Sequence, residues 1–166
     1  MARRKKEPLS VHREKIATVA STLFTEKGIA ATTVDEIAKK AGYSKATLYV
    51  YFENKEEIFF SLVYRHMQDL FQTIEKIILQ EIHSPEQWEE RYLEVCFSIQ
   101  RLCKKYPIYF EGMIGNINVD ITSDETPQVY NDIYNLGLQL SGLVRKIIEK
   151  GILFDIFKPG NNPDEI

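Results

Sequence analysis

Long apolar runs are absent from this chain: no stretch approaches the roughly 20 residues that a helix needs to cross a bilayer. Met1-Ala2-Arg3-Arg4-Lys5-Lys6 would suit the start of a secretion signal, but Glu7, Pro8, His12, Arg13 and Glu14 follow where an apolar stretch is required. The expectation is a cytoplasmic protein with no membrane partner. Cysteine is scarce as well. Cys96 and Cys103 stand one heptad apart, about 10 Å along a helix axis, too far for a disulfide, so both read as buried reduced thiols. His12, His66 and His83 are scattered without a metal-ligand spacing. There is no H-E-x-x-H, C-x-x-C, G-x-S-x-G or glycine-rich phosphate loop. Glu89-Glu90 and Asp124-Glu125 read as solvated surface. No catalytic residue, metal or cofactor is expected, and the chain does not read as an enzyme. Alternation of apolar and polar residues over a useful length is also missing, which argues against strands.

What the chain does have is apolar residues at helical spacing, 44% hydrophobic overall, enough to bury a core. The pattern predicts helices at about 10–27, 34–41, 45–51, 55–82, 86–105, 107–118 and 127–150, a loop at 119–126, and an all-α fold. Proline marks the ends: Ser84-Pro85-Glu86-Gln87 is a capping box with Pro in the first turn, Thr126-Pro127 is a similar start, and Tyr106-Pro107 ends one helix and permits another. Charge is divided along the chain. Residues 1–52 carry ten Lys/Arg against five Asp/Glu, and residues 53–166 carry eleven against nineteen. A basic head on an acidic body suggests that the head alone meets a polyanion. Arg3-Arg4-Lys5-Lys6 would add electrostatic attraction without sequence discrimination.

The most informative segment is 33–55, TVDEIAKKAGYSKATLYVYFENK. Val34, Ile37, Ala38 and Ala41 repeat at one helical face. Thr33 and Glu36 form a T-x-x-E capping box, Gly42 supplies a left-handed stop, and Ser44 caps a second helix. That second helix presents Lys45, Thr47 and Tyr49, while Ala46 and Leu48 are suited to packing. Two short helices about a glycine turn are the geometry of a major-groove DNA reader. The run A-G-Y-S-K-A-T-L-Y-V-Y-F-E-N-K-E-E, with A-x-x-L-F-T-E-K-G-I-A-A-T-T-V-D-E-I-A upstream, closely resembles the signature of the TetR family of bacterial transcriptional regulators over about residues 10–60. Tyr43 and Val50 depart from the common pattern. The first is expected to add an aromatic hydroxyl to the DNA-facing surface, and the second to remove a DNA contact.

The resemblance implies a helix-turn-helix DNA-binding domain over 8–54, a helical regulatory body over 55–158 for ligand binding and dimerisation, and a polar tail over 159–166. It implies a repressor that binds a palindromic double-stranded DNA operator as a homodimer and is released by a small hydrophobic effector. On the DNA side, Thr33, Tyr43, Ser44, Lys45, Thr47, Tyr49 and Lys55 are the expected contacts, with Tyr49 and Lys55 resembling phosphate anchors. On the ligand side, the aromatic- and Met-rich body offers Met67, Phe71, Trp88, Tyr92, Cys96, Met113, Tyr130 and Tyr134. Gly112, Gly115, Gly137 and Gly142 would mark close helix approach or room for a ligand. Ligand in the body would shift the fourth helix, which runs directly out of the head. Family members usually carry two further helices at the dimer interface. Here Ile133, Leu136, Leu140 and Ile147, or the apolar segment Ile152 to Phe157, are expected to serve instead. The rival reading is a constitutive architectural DNA-binding protein with a solid core and no ligand.

Overall fold

The computed structural model of the protein describes residues 8–109 and 128–157. Six helices are delimited among these, α1 (Leu9–Ala31), α2 (Val34–Ala41), α3 (Lys45–Tyr49), α4 (Lys55–Ile78), α5 (Pro85–Lys105) and α6 (Gln128–Leu153), and residues 107–109 are helical as well. No strand occurs among the described residues, and the all-α expectation holds. The arm at 1–7, most of the helix expected over 107–118 with Gly112, Met113 and Gly115, the loop at 119–126, the Thr126-Pro127 start and the tail at 159–166 lie outside the described residues.

The architecture is built around α4. Its apolar residues are numerous enough to bury more than one face, and it packs against α1, α5 and α6. Its N-terminal half carries Ile58, Phe59, Phe60, Leu62 and Val63, all buried, in one cluster with Ile16, Ala20 and Phe24 of α1, Ile37 of α2 and Leu48 of α3. Tyr109 and Leu136 join the same cluster. The core is therefore continuous across residues 54 and 55, where the expected head meets the expected body. A second cluster gathers Ile74, Ile77, Trp88, Val95, Leu143 and Ile147 at the far end.

Local signals explain most helix ends. Asn54 caps α4 by accepting from the Glu57 amide at 2.7 Å. Gly28 sits inside α1 with φ 81 and ψ 164, so α1 is two helical segments joined at a break, and the expected stop at 27 coincides with that break. The expected end of α4 at 82 is too late: the helix stops at Ile78, leaving Leu79 72% exposed, while Ile82 turns back into the second cluster. Ser84 and Pro85 fix where the next helix starts. The residue before proline avoids helical dihedrals, and Ser84 Oγ instead accepts from the Gln87 amide at 3.3 Å. The reciprocal bond of the expected box goes one residue further back, from His83 N to Gln87 Oε1 at 2.8 Å.

α6 ends in a Schellman motif, Ile156 N to Gly151 O and Asp155 N to Ile152 O, with Asp155 in the left-handed region. Gly151 is the glycine that this fold requires to be small. A Cβ there would lie 2.8 Å from Trp88 Cζ2 and 2.9 Å from the Phe157 ring. Gly137 and Gly142 face open space, so neither marks a close helix approach.

Candidate functional site

The helix-turn-helix is assembled as its sequence signals require. Thr33 Oγ1 accepts from the Glu36 amide at 3.3 Å, and the Glu36 carboxylate accepts from the Thr33 amide at 2.9 Å. The Lys27 ammonium and the Thr33 amide and hydroxyl hold the Glu36 carboxyl well below the usual carboxylate range, at about 2. Gly42 adopts the left-handed conformation (φ 78, ψ 29) that closes α2. Ser44 Oγ then accepts from the Thr47 amide at 3.0 Å and opens α3.

α3 has only five residues, too few to be stable alone. Leu48, fully buried, anchors it to α1, α2 and α4. This leaves Lys45, Ala46, Tyr49 and Val50 exposed together, at positions i, i+1, i+4 and i+5 on one helical face. Ala46 therefore projects to solvent rather than packing, which corrects the expectation for that residue; Leu48 alone does the anchoring. Thr47 is half-buried, with its hydroxyl 2.8 Å from Ser44 Oγ. Lys45 Nζ lies 3.3 Å from an Asp35 oxygen in an exposed ion pair, which water and salt weaken. Thr33, Ser44, Lys45 and Tyr49 are each exposed, and Thr47 is half-buried.

Two expected DNA contacts are placed differently. The Tyr43 hydroxyl is 2.7 Å from His12 Nδ1 of α1, and the ring sits edge-on to His12 and beneath Lys15 Nζ at 5.0 Å. Its aromatic bulk ties the turn to α1. Lys55 Nζ donates to the carbonyls of Ile29 (2.9 Å), Thr32 (3.1 Å) and Ala30 (3.4 Å), where α1 ends. An ammonium has three donors, and here all three serve α1. A cation at a helix C-terminus also complements the macrodipole. Arg13 completes this frame. It donates to the Tyr51 carbonyl and to Glu57 Oε1 (2.8 Å), with its guanidinium 4.0 Å over the Phe52 ring. Neither Arg13 nor the double role of Lys55 could be read from local pattern, since the partners lie some tens of residues away.

Among the described residues, the expected ligand residues of the body are spread over different surroundings. Met67 is buried at the head end, and Tyr130, half-buried, packs on Phe60 with ring centres 4.3 Å apart. Phe71 bridges the two clusters. Trp88 is buried and donates through Nε1 to the Ile147 carbonyl at 2.7 Å. Tyr92 stacks on its outer face at 5.0 Å, and both border an open groove of about 510 Å³ with Leu93, Ile156 and Phe157. Cys96 is half-buried beside Tyr92, whose hydroxyl it pushes upward in pKa, with burial adding to the effect. Tyr134 is 58% exposed. Met113 lies outside the described residues. Of the apolar residues expected at a dimer surface, Leu136 and Ile147 are buried and Ile133 and Leu140 pack against the core, so that stripe faces α4 instead. Tyr92, Leu93 and Phe97 on α5 and Tyr134, Leu138 and Leu153 on α6 are the large exposed apolar residues of these helices.

A cleft that the sequence did not suggest lies between α4 and α5. It is an open depression of about 340 Å³ bordered by His66, Ser98, Arg101, Lys105 and Tyr106 among others. The available signal was a histidine on the otherwise apolar stripe Leu62/Val63, Met67, Leu70.

The sequence profile of bacterial regulatory proteins of the tetR family matches residues 16–62. The chain is 49% identical over 47 residues to the biofilm-operon negative transcriptional regulator IcaR of Staphylococcus epidermidis, a match covering 28% of this chain and 25% of that protein. It is 27% identical over 156 residues to the HTH-type transcriptional regulator YhgD of Bacillus subtilis, covering 91% of this chain and 75% of YhgD. Among solved structures, that of the transcriptional regulator FadR from Bacillus subtilis in complex with stearoyl-CoA superposes with a TM-score of 0.58 at 19% identity, covering 92% of this chain and 77% of that one. The relatives are transcriptional regulators rather than enzymes.

Proposed function

We propose, from the premise that this chain belongs to the TetR family of bacterial transcriptional regulators, that it is a cytoplasmic repressor which binds a palindromic operator as a homodimer and is released by a small, largely apolar ligand. The observation that carries the reading is the solvent face of α3. A five-residue helix is held by one buried leucine and presents Lys45, Ala46, Tyr49 and Val50 outward. Lys45 suits a guanine edge, and the Ala46 and Val50 methyls suit a thymine methyl. The exposed Tyr49 and Ser44 hydroxyls suit phosphate oxygens, and Thr33, whose hydroxyl donates to Glu36, would offer a phosphate its hydroxyl only by releasing that bond. Lys55 and Tyr43 serve the frame beneath this surface. IcaR, a negative regulator, supports repression, and the stearoyl-CoA complex of a protein of similar fold supports a body that takes a ligand.

Release would work through α4. It is capped in the head at Asn54, joined to α1 through Glu57 and Arg13, and continues for 24 residues into the body, about 36 Å of rigid helix. A ligand that displaces its distal half tilts the proximal half, and with it α3. In a dimer that changes the separation of two recognition helices, which must match the DNA helical turn.

Selection of DNA by the purified chain from a random-sequence duplex pool tests this. The expected product is an inverted repeat with half-sites about one helical turn apart. Recovery of no sequence preference, or of an asymmetric site bound at full affinity, overturns it.

A further inference from the structure

His66 belongs to the apolar stripe of α4 and is only 6% exposed, yet among the described residues its Nε2 has no hydrogen-bond partner. A buried polar atom without a partner destabilises the fold, so a fold that keeps one calls for an explanation. His66 borders the α4/α5 cleft, which has cations on its other wall. The Arg101 guanidinium donates to the buried Ser98 hydroxyl at 2.8 Å, which orients it and leaves further N–H groups available. Lys105 Nζ stands 5.1 Å over the Tyr106 ring, and that ring stacks on His66 with centres 3.9 Å apart. Burial, and then the charge of Arg65, hold the His66 imidazole below its ordinary pKa; Asp69 opposes this and Lys105 adds to it. The ring is therefore neutral near pH 7, with one N–H to donate. Asp69 is the one carboxylate on the lining. Two cations against one carboxylate leave a single positive charge, and Leu70, Leu102 and Tyr106 add apolar surface.

We propose that this cleft is an effector site for a small organic monocarboxylate, its carboxylate held by Arg101 and Lys105 and, once Tyr106 shifts off the buried ring, by Nε2–H of His66, its apolar body against Leu70, Leu102 and Tyr106. The volume, about 340 Å³, falls at the small end of ligand pockets. The inference deepens the regulatory reading above and rests on it only for the consequence of binding. That consequence has a short route to the head. His66 lies 5.0 Å from the Tyr109 ring, Tyr109 packs on Phe59 at 5.4 Å, and its hydroxyl donates to Ser21 Oγ of α1 at 2.8 Å. A ligand that reseats His66 or Tyr106 therefore acts on a residue in direct contact with the DNA-binding head.

The test uses the full chain labelled with ¹⁵N-histidine and no DNA, so failure of the DNA-binding reading and failure of the site are seen separately. The His66 ring nitrogens are followed by NMR during titration to about 10 mM, a concentration that fills any site of millimolar affinity. The probes are hexanoate, octanoate, benzoate and phenylacetate, each paired with its primary amide. At least one acid should shift the His66 Nε2 resonance saturably, and its amide should bind at least about tenfold more weakly, because a charge-assisted contact is lost. Arg101→Gln with Lys105→Gln, both exposed on α5, should abolish the shift while the thermal melt stays unchanged; Lys150→Gln, on α6 and outside the lining, should leave it intact. A His66 signal that no acid moves overturns the proposal. So do amides that bind as well as their acids, or undiminished binding by the double variant.

Discussion

Lys55→Met separates two roles for one residue. The ammonium lies within 2.9 to 3.4 Å of three carbonyls at the end of α1. Methionine keeps the aliphatic stem and removes the donors. Hydrogen bonds to a charged group are worth about 1.5–3 kcal/mol each, and three bonds to one ammonium do not add fully. Thr32 is fully buried, so no water replaces the lost donor freely at that end. The loss expected is about 2–4 kcal/mol. At this chain length each kcal/mol lowers the melting midpoint by about 2–4 °C, so the drop should be about 4–16 °C. Circular dichroism melts measure it, and urea titration should give the same loss with an unchanged slope. DNA affinity measured at a temperature where the variant is folded should fall little. If Lys55→Met melts with the wild type while losing affinity for every DNA sequence, the lysine is a phosphate anchor and the structural assignment is wrong.

On DNA, Tyr49→Phe should weaken binding to all sequences alike, whereas Lys45→Ala or Thr47→Ala should also relax specificity; competition between operator and scrambled duplex distinguishes the two. Gly151→Ala places a Cβ 2.8 Å from Trp88 Cζ2 and should cost about 1–3 kcal/mol. Gly142→Ala, facing open space, should instead stabilise by up to about 1 kcal/mol, and paired melts compare them. Glu36, its carboxyl held down to about 2 by Lys27 and Thr33, contributes stability that is present above its ordinary value of 4.5 and is lost as pH falls from there toward 2. Glu36→Gln should flatten that acid limb of the stability profile, and an unchanged limb would assign it to other carboxylates.

The signals that sequence carries well are those whose partners are near. Thr33 with Glu36, Gly42, Ser44 and Asn54 each bond within three or four residues, and α2 and the starts of α3 and α4 fall where those residues place them. The family resemblance likewise rests on a contiguous run. What stayed illegible depends on distant partners. Lys55 was a charged residue at a helix start until α1 brought its carbonyls alongside. Tyr43 was a turn tyrosine until His12, 31 residues away, claimed its hydroxyl. Ala46 and Leu48 were equally fit to pack, and only the tilt of α3 against the core separated them. The helical body was least legible. Aromatic and sulfur-containing residues fill a core as readily as they line a pocket, and here they are distributed over two clusters and a surface groove. The cleft that combines a buried imidazole with cations is built by residues of two helices, and no spacing along either one announces it.

In the proposed complex α3 reads DNA from the major groove, in two copies related by symmetry. Methylation interference at guanine N7, a major-groove atom, on the selected duplex probes that contact. Two symmetric blocks of interference about one helical turn apart are expected, each weakened when Lys45 is replaced by alanine. Interference confined to one block, or binding indifferent to N7 methylation and to Lys45, would contradict it.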